Sequence, residues 1–65
     1  MRNNIIQLRE QLNISQEQLA SLADISIDEL DDIEKGRTVP SLITANNIKK
    51  ALNEEFIANV FIFDE

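Results

Sequence analysis

Residues 15 to 36 decide the fold: Ser15-Gln16-Glu17-Gln18-Leu19-Ala20-Ser21-Leu22-Ala23-Asp24-Ile25-Ser26-Ile27-Asp28-Glu29-Leu30-Asp31-Asp32-Ile33-Glu34-Lys35-Gly36. Ser15 with Gln18 three positions on is a capping box, in which each side chain satisfies an otherwise orphaned N–H at a helix start. Leu19, Ala20 and Ala23 then recur at helical spacing, and the helix is over by Asp24. Ser26 with Glu29 repeats the start signal. Leu30 and Ile33 make an inner face at i and i+3, and Gly36 suits the left-handed position that stops a helix. Two short helices, over 16–23 and 27–35, joined by a tight turn, read as a helix-turn-helix.

Upstream, Ile5, Leu8 and Leu12 predict a helix over 3–12, with Asn13 and Ile14 as a short break. Downstream, Arg37-Thr38-Val39-Pro40 is loop, because the residue before a proline is pushed away from helical dihedrals. Ser41 caps a fourth helix over 42–52 with Leu42, Ala45, Ile48, Ala51 and Leu52 on one stripe, and Asn53 ends it. The acids Glu54 and Glu55 suit the positive end of a short fifth helix over 54–59. Val60-Phe61-Ile62-Phe63 is apolar and β-prone, and predicts an extended segment at about 61–64. The expected core is Ile5, Leu8, Ile14, Leu19, Ala20, Ala23, Ile25, Leu30, Ile33, Leu42, Ala45, Ile48 and Leu52.

A chain of 65 residues is expected to form one domain, too small for most enzymes, which need room for a pocket and its supporting shell. With no cysteine and no histidine, disulfides, thiolate chemistry and the usual zinc sites are excluded, and no cofactor or metal is expected. Asp28 and Asp32 lie at i and i+4 on one convex helix, which does not supply the six or so oxygens of a hard-cation site. No apolar run approaches a membrane span and no signal peptide opens the chain, so a cytoplasmic protein without a membrane partner is the simplest expectation. Twelve acidic residues against six basic ones give a net charge of −6, which argues against a nucleic-acid partner on composition alone.

The motifs argue the other way. Leu8-Arg9, Ile14-Ser15-Gln16-Glu17-Gln18-Leu19-Ala20, Ile25-Ser26, Ile33-Glu34-Lys35-Gly36-Arg37 and Pro40-Ser41-Leu42 resemble, in order and spacing, the Cro/C1-type (XRE) helix-turn-helix family. The likeness covers roughly residues 4 to 56, and the length and tail are similar to the family's short dimeric regulators of the cytolysin-repressor type. It implies an all-α, five-helix, lambda repressor-like domain over 1–65, with the helix-turn-helix at about 16–35, a dimerisation segment at about 54–65 and a short extended C-terminus. It also implies a bacterial or phage repressor that binds an operator in double-stranded DNA as a homodimer. DNA contacts are carried onto Gln16, Ser26, Ile27, Asp28, Glu29 and Asp32, with phosphate contacts near Lys35, Arg37 and Thr38. The implied dimer is joined near the fifth helix by a small two-stranded sheet, with Phe56, Val60, Phe61 and Phe63 as candidate anchors. An ion pair between Arg9 and Glu34 completes the pattern.

The recognition helix departs from its family. From Asp24 to Glu34 the chain carries Asp24, Asp28, Glu29, Asp31, Asp32 and Glu34 and no basic residue. Carboxylates accept hydrogen bonds, chiefly from cytosine N4, whereas the usual base readers donate. Each also approaches phosphates, opposing the counterion release that drives binding. Glu34 is expected to be spent on Arg9 and Asp31 to face solvent, leaving Asp28 and Asp32 on the base-reading face. Leu22 and Ile27 are expected to look outward, and apolar side chains ringed by carboxylates also suit a protein contact. Two functions follow: a DNA-binding regulator weakened by its acidic helix, or a helix-turn-helix-fold antirepressor or DNA mimic that binds a basic protein. Where Lys35, Arg37, Lys49 and Lys50 lie relative to Gln16 discriminates between them.

Overall fold

The computed structural model describes residues 1–62. Four α-helices follow in order: α1 (Ile5–Leu12), α2 (Gln16–Ala23), α3 (Ile27–Glu34) and α4 (Leu42–Ala51), then a 3₁₀ turn over Ile57–Asn59. The expected fifth helix is therefore only this 3₁₀ turn. The run Glu54–Phe56 that was to begin it is irregular, with Phe56 extended at φ −125°, ψ 140°. No strand is present among the described residues, and the extended tail reduces to one antiparallel bridge.

Serines start three of the helices. Ser15 completes its capping box: the Gln18 N–H donates to Ser15 Oγ at 3.0 Å and the Ser15 N–H donates to Gln18 Oε1 at 2.7 Å. Ser26 and Ser41 accept from the N–H groups of Glu29 and Thr44. All four helices end the same way, with a left-handed residue at Asn13, Asp24, Gly36 or Asn53. At each end the next N–H reaches back to a carbonyl five residues earlier: Ile14 to Arg9, Ile25 to Ala20, Arg37 to Asp32 and Glu54 to Lys49. These are Schellman endings, which satisfy carbonyls that the last turn would otherwise leave unpaired. Ile14 and Ile25, the residues just past two of them, turn inward and pack against the core. At Gly36 (φ +75°) a Cβ would also come within 3.2 Å of the Met1 carbonyl oxygen, so glycine is favoured on two counts.

The buried core comprises Ile5, Leu19, Ala20, Ala23, Leu30, Ile33, Ala45, Ile48, Leu52, Val60 and Phe61, with Leu8, Ile14 and Ile25 packed at its margin. Leu42 is a correction: expected inside, it is 75% exposed. The α4 stripe runs past the edge of the core at its first turn, where no helix lies opposite. Val60 and Phe61 are the converse case, closing the core from the C-terminal side. Phe61 bridges Asn3; the Asn4 N–H donates to the Val60 carbonyl at 2.8 Å, and the Ile62 N–H donates to the Arg2 carbonyl at 2.9 Å. The tail that looked in need of a partner strand thus pairs, through residue 62, with the chain's own beginning. Phe63 lies outside the described residues.

Candidate nucleic-acid interface

α2 and α3 pack through Leu19, Ala20, Ala23, Leu30 and Ile33, all buried. That leaves the start of α3 outward: Ser26, Ile27, Asp28 and Glu29 are exposed, as are Lys35, Arg37 and Thr38 beyond its end. Leu22 and Ile27 are exposed by 63% and 43%, as their expected outward positions require.

One carboxylate ties three helices together. Glu34, with only 2% of its side chain exposed, receives Arg9 Nε at 2.8 Å on Oε2 and Arg9 Nη2 at 3.3 Å on Oε1. The expected Arg9–Glu34 pair therefore forms as a fork, a geometry that suits guanidinium and carboxylate planes. Gln16 Nε2 donates 2.8 Å to the same Glu34 Oε1 and 3.1 Å to Asp31 Oδ1. Asp31 also accepts from Lys35 Nζ at 2.8 Å on Oδ2. Expected to face solvent, Asp31 is instead half-buried and shared between Gln16 and Lys35. The Lys35 hydrogen bond first and the Gln16 hydrogen bond second hold its carboxyl below the ordinary aspartate value of 3.8.

Arg37 Nη1 lies 3.2 Å from Asp32 Oδ1. Arg9, Lys35 and Arg37 thus each neutralise one acid of α3. Asp24, Asp28 and Glu29 stay exposed with no side-chain partner among the described residues. Lys35 shares Asp31 with Gln16, so it stands at the edge where α2 begins. Lys49 and Lys50, in the last turn of α4, have no ion-pair partner among the described residues.

Of the residues carried over from the family, the structure brings Gln16 and Lys35 together through Asp31, and Asp32 and Arg37 together directly. Ser26, Ile27, Asp28 and Glu29 sit together at the exposed start of α3. Of the apolar tail residues, Val60 and Phe61 are 0% and 1% exposed within the chain, so neither presents surface as an anchor, whereas Phe56 is 62% exposed. The roles of two residues, Asp31 and Asn3, escaped the sequence reading. Asp31 could have been found from its i,i+4 spacing to Lys35. Asn3 donates from Nδ2 to the Ile33 carbonyl at 2.8 Å and accepts from the Ile5 N–H, and no local pattern announces it.

A family model described as helix-turn-helix matches residues 5–57. The chain belongs to the Cro/C1-type helix-turn-helix family. Among its relatives, an uncharacterised HTH-type transcriptional regulator of Methanothermobacter thermautotrophicus is 42% identical over 65 residues, covering all of this chain and 94% of the relative. Another protein of that description, from Archaeoglobus fulgidus, is 37% identical over 65 residues, covering all of this chain and 90% of the relative. Both source organisms are archaea, so the expectation of a bacterial or phage setting gains no support from them. The family and the names of these relatives are those of helix-turn-helix transcriptional regulators. Among the described residues no helix is long and apolar enough to cross a membrane.

Proposed function

We propose that this helix-turn-helix protein is a cytoplasmic repressor that binds operator DNA as a homodimer, with the first turn of α3 in the major groove. The observation that carries this reading is the exposed turn Ser26–Glu29, standing on a scaffold that Leu30 and Ile33 fix from behind. Gln16, held at the far end of α3 by Asp31 and Glu34, and Lys35, Arg37 and Thr38 beyond that end supply the phosphate contacts. Ile27 meets a thymine methyl, and Asp28 and Glu29 accept from cytosine N4. Because Lys35 and Arg37 each already hold a carboxylate of α3, few phosphates are neutralised and the affinity is strongly limited by salt.

A titration of the protein with duplex fragments over a range of salt tests this. Binding at low salt with a log–log slope no steeper than about −4, where each phosphate contact contributes about −0.9, is the expected result. A second reading is favoured by the unpartnered carboxylates of Asp24, Asp28 and Glu29 beside exposed Leu22 and Ile27. On it, the same face holds a basic protein, as an antirepressor or DNA mimic would. Silence toward every duplex at low salt, with capture of a purified basic repressor that Asp28→Asn weakens, would replace the first reading by the second.

A further inference from the structure

The side-chain amide of Gln16 has two hydrogens to give, and they go to carboxylates of different standing. One goes to Glu34 Oε1 at 2.8 Å, on a side chain only 2% exposed and braced by Arg9. The other goes to Asp31 Oδ1 at 3.1 Å, and the Asp31 side chain is 33% exposed. The second oxygen of Asp31, Oδ2, accepts from Lys35 Nζ at 2.8 Å, on a side chain 52% exposed. A donor at the start of α2 and a donor just past the end of α3 thus converge on the two oxygens of one half-open oxyanion. Two oxygens of a phosphate stand about as far apart as the two of a carboxylate, and a phosphodiester carries the same single charge.

No other acid of α3 is placed in this way. Glu34 is sealed from solvent, and Asp32 meets Arg37 alone in its printed ion pair, away from α2. Asp28 and Glu29 have no side-chain partner among the described residues. Lys35 first and Gln16 second hold the Asp31 carboxyl below 3.8, so the slot between them favours an anion.

We propose that Asp31 is a built-in stand-in for a DNA phosphate: its carboxylate fills the slot between Gln16 and Lys35 in the free protein, and a phosphodiester must displace it to bind there. This rests on the regulator reading above and names the residue that sets the affinity of that same site. Glu34 keeps the Gln16 amide aimed at the slot when Asp31 leaves, because its own carboxylate is buried and held by Arg9.

The ionic arithmetic gives the proposal a signature. A cation that meets a phosphate releases a counterion and adds about −0.9 to the log–log salt slope. Lys35 arrives already neutralised. When a phosphate takes it, Asp31 is left to gather a cation from solution, and uptake at the protein cancels release at the DNA. Lys35 therefore adds almost nothing to the slope while Asp31 is present, and a full contact once Asp31 is gone.

Salt titration of duplex binding by the full chain, wild type beside Asp31→Ala, tests the proposal. Alanine suits a helix interior, and circular dichroism checks that the fold is kept. Should it be lost, Asp31→Asn takes its place, keeping the volume and freeing Lys35 alone. The slope of Asp31→Ala is expected to steepen by about one unit, and its affinity at about 50 mM salt to rise about tenfold. Lys35→Gln added to Asp31→Ala should return the slope to the wild-type value. Asp28→Asn removes the same charge from the same helix without freeing a donor, so it should tighten binding with the slope kept. DNA bound with a slope that Asp31→Ala leaves unchanged would overturn this inference alone. Equal steepening by Asp28→Asn would overturn it too, reducing the effect to net charge. DNA bound by Asp31→Ala and not by wild type would support it in its strongest form. Silence of both toward every duplex at low salt would remove the regulator reading, and this inference with it.

Discussion

The side-chain amide of Gln16, in the first turn of α2, donates to Glu34 Oε1 in the last turn of α3 across 2.8 Å. Glu34 is almost wholly buried, and Arg9 of α1 holds its other side. The residue that the family would free for DNA is therefore also a strut of the scaffold. A carboxylate shared in this way fixes the angle between the two helices of the motif, which apolar packing alone leaves looser. Buried pairs add little net stability but penalise the loss of one partner heavily.

Glu34→Ala is expected to lower stability by about 3–5 kcal/mol, because it strands the Arg9 guanidinium, whose side chain is only 15% exposed. A domain of this length has roughly 3–10 kcal/mol in total, so the variant should be largely unfolded near body temperature. The double substitution Arg9→Met, Glu34→Leu should recover much of the loss. Urea denaturation followed by circular dichroism measures both, and a double variant no better than Glu34→Ala would contradict the ion-pair account.

The helix starts and stops were legible because their causes are local. Ser15, Ser26 and Ser41 cap through partners three residues on, and Gly36 and Asn53 turn left-handed where the apolar pattern stops. Leu42 was misread because periodicity gives the direction of a side chain and not whether the core extends to it; at the first turn of α4 the core falls short, and Leu42 stays exposed. The inward turn of Val60 and Phe61 depends on Arg2–Asn4 at the other end of the chain, a pairing with no local signature. For the candidate site, the family pattern placed Arg9 on Glu34 correctly. The capture of Gln16 by Asp31 joins residues 15 apart on different helices, beyond the reach of spacing rules.

Asp24 holds a left-handed backbone (φ 59°) at the end of α2, where a side chain is tolerated but strained. Asp24→Gly removes that strain and one negative charge from an acidic chain. The left-handed penalty of roughly 1–2 kcal/mol exceeds the roughly 0.5–1 kcal/mol that glycine loses in entropy on folding, so a net gain of about 0.5–1 kcal/mol is expected. Thermal denaturation should show a rise in Tm of a few degrees; a fall would mean that the Asp24 carboxylate has a compensating role.

Acid should act on Asp31 in a narrow range. Its carboxyl is held below 3.8 by Lys35 and Gln16, so its folded pKa lies under its unfolded one. The stabilisation is then fully present above the unfolded value and is lost as pH falls through the folded one. The stability difference between wild type and Asp31→Asn should stay constant between about pH 5 and 7 and close below about pH 4. A difference that already changes near neutral pH would assign the effect to another group.

The strongest test of the acidic recognition helix is the double substitution Asp28→Asn, Asp32→Asn. It removes two negative charges from the exposed side of α3, and Asp32→Asn also frees Arg37 from its 3.2 Å ion pair. Asparagine restores a donor that can pair with adenine edges, which a carboxylate lacks. If α3 enters the groove, the variant should bind nonspecific duplex more tightly. Its salt slope should steepen by about one unit as Arg37 takes a phosphate, since each contact contributes about −0.9. Sequence preference should blur at the same time, because the carboxylates reject wrong bases as well as phosphates. An unchanged affinity and slope would mean that α3 does not face DNA at all. A wild type that binds one operator tightly at about 150 mM salt would show instead that the pairs on Lys35 and Arg37 open on contact and that the free helix understates its positive charge.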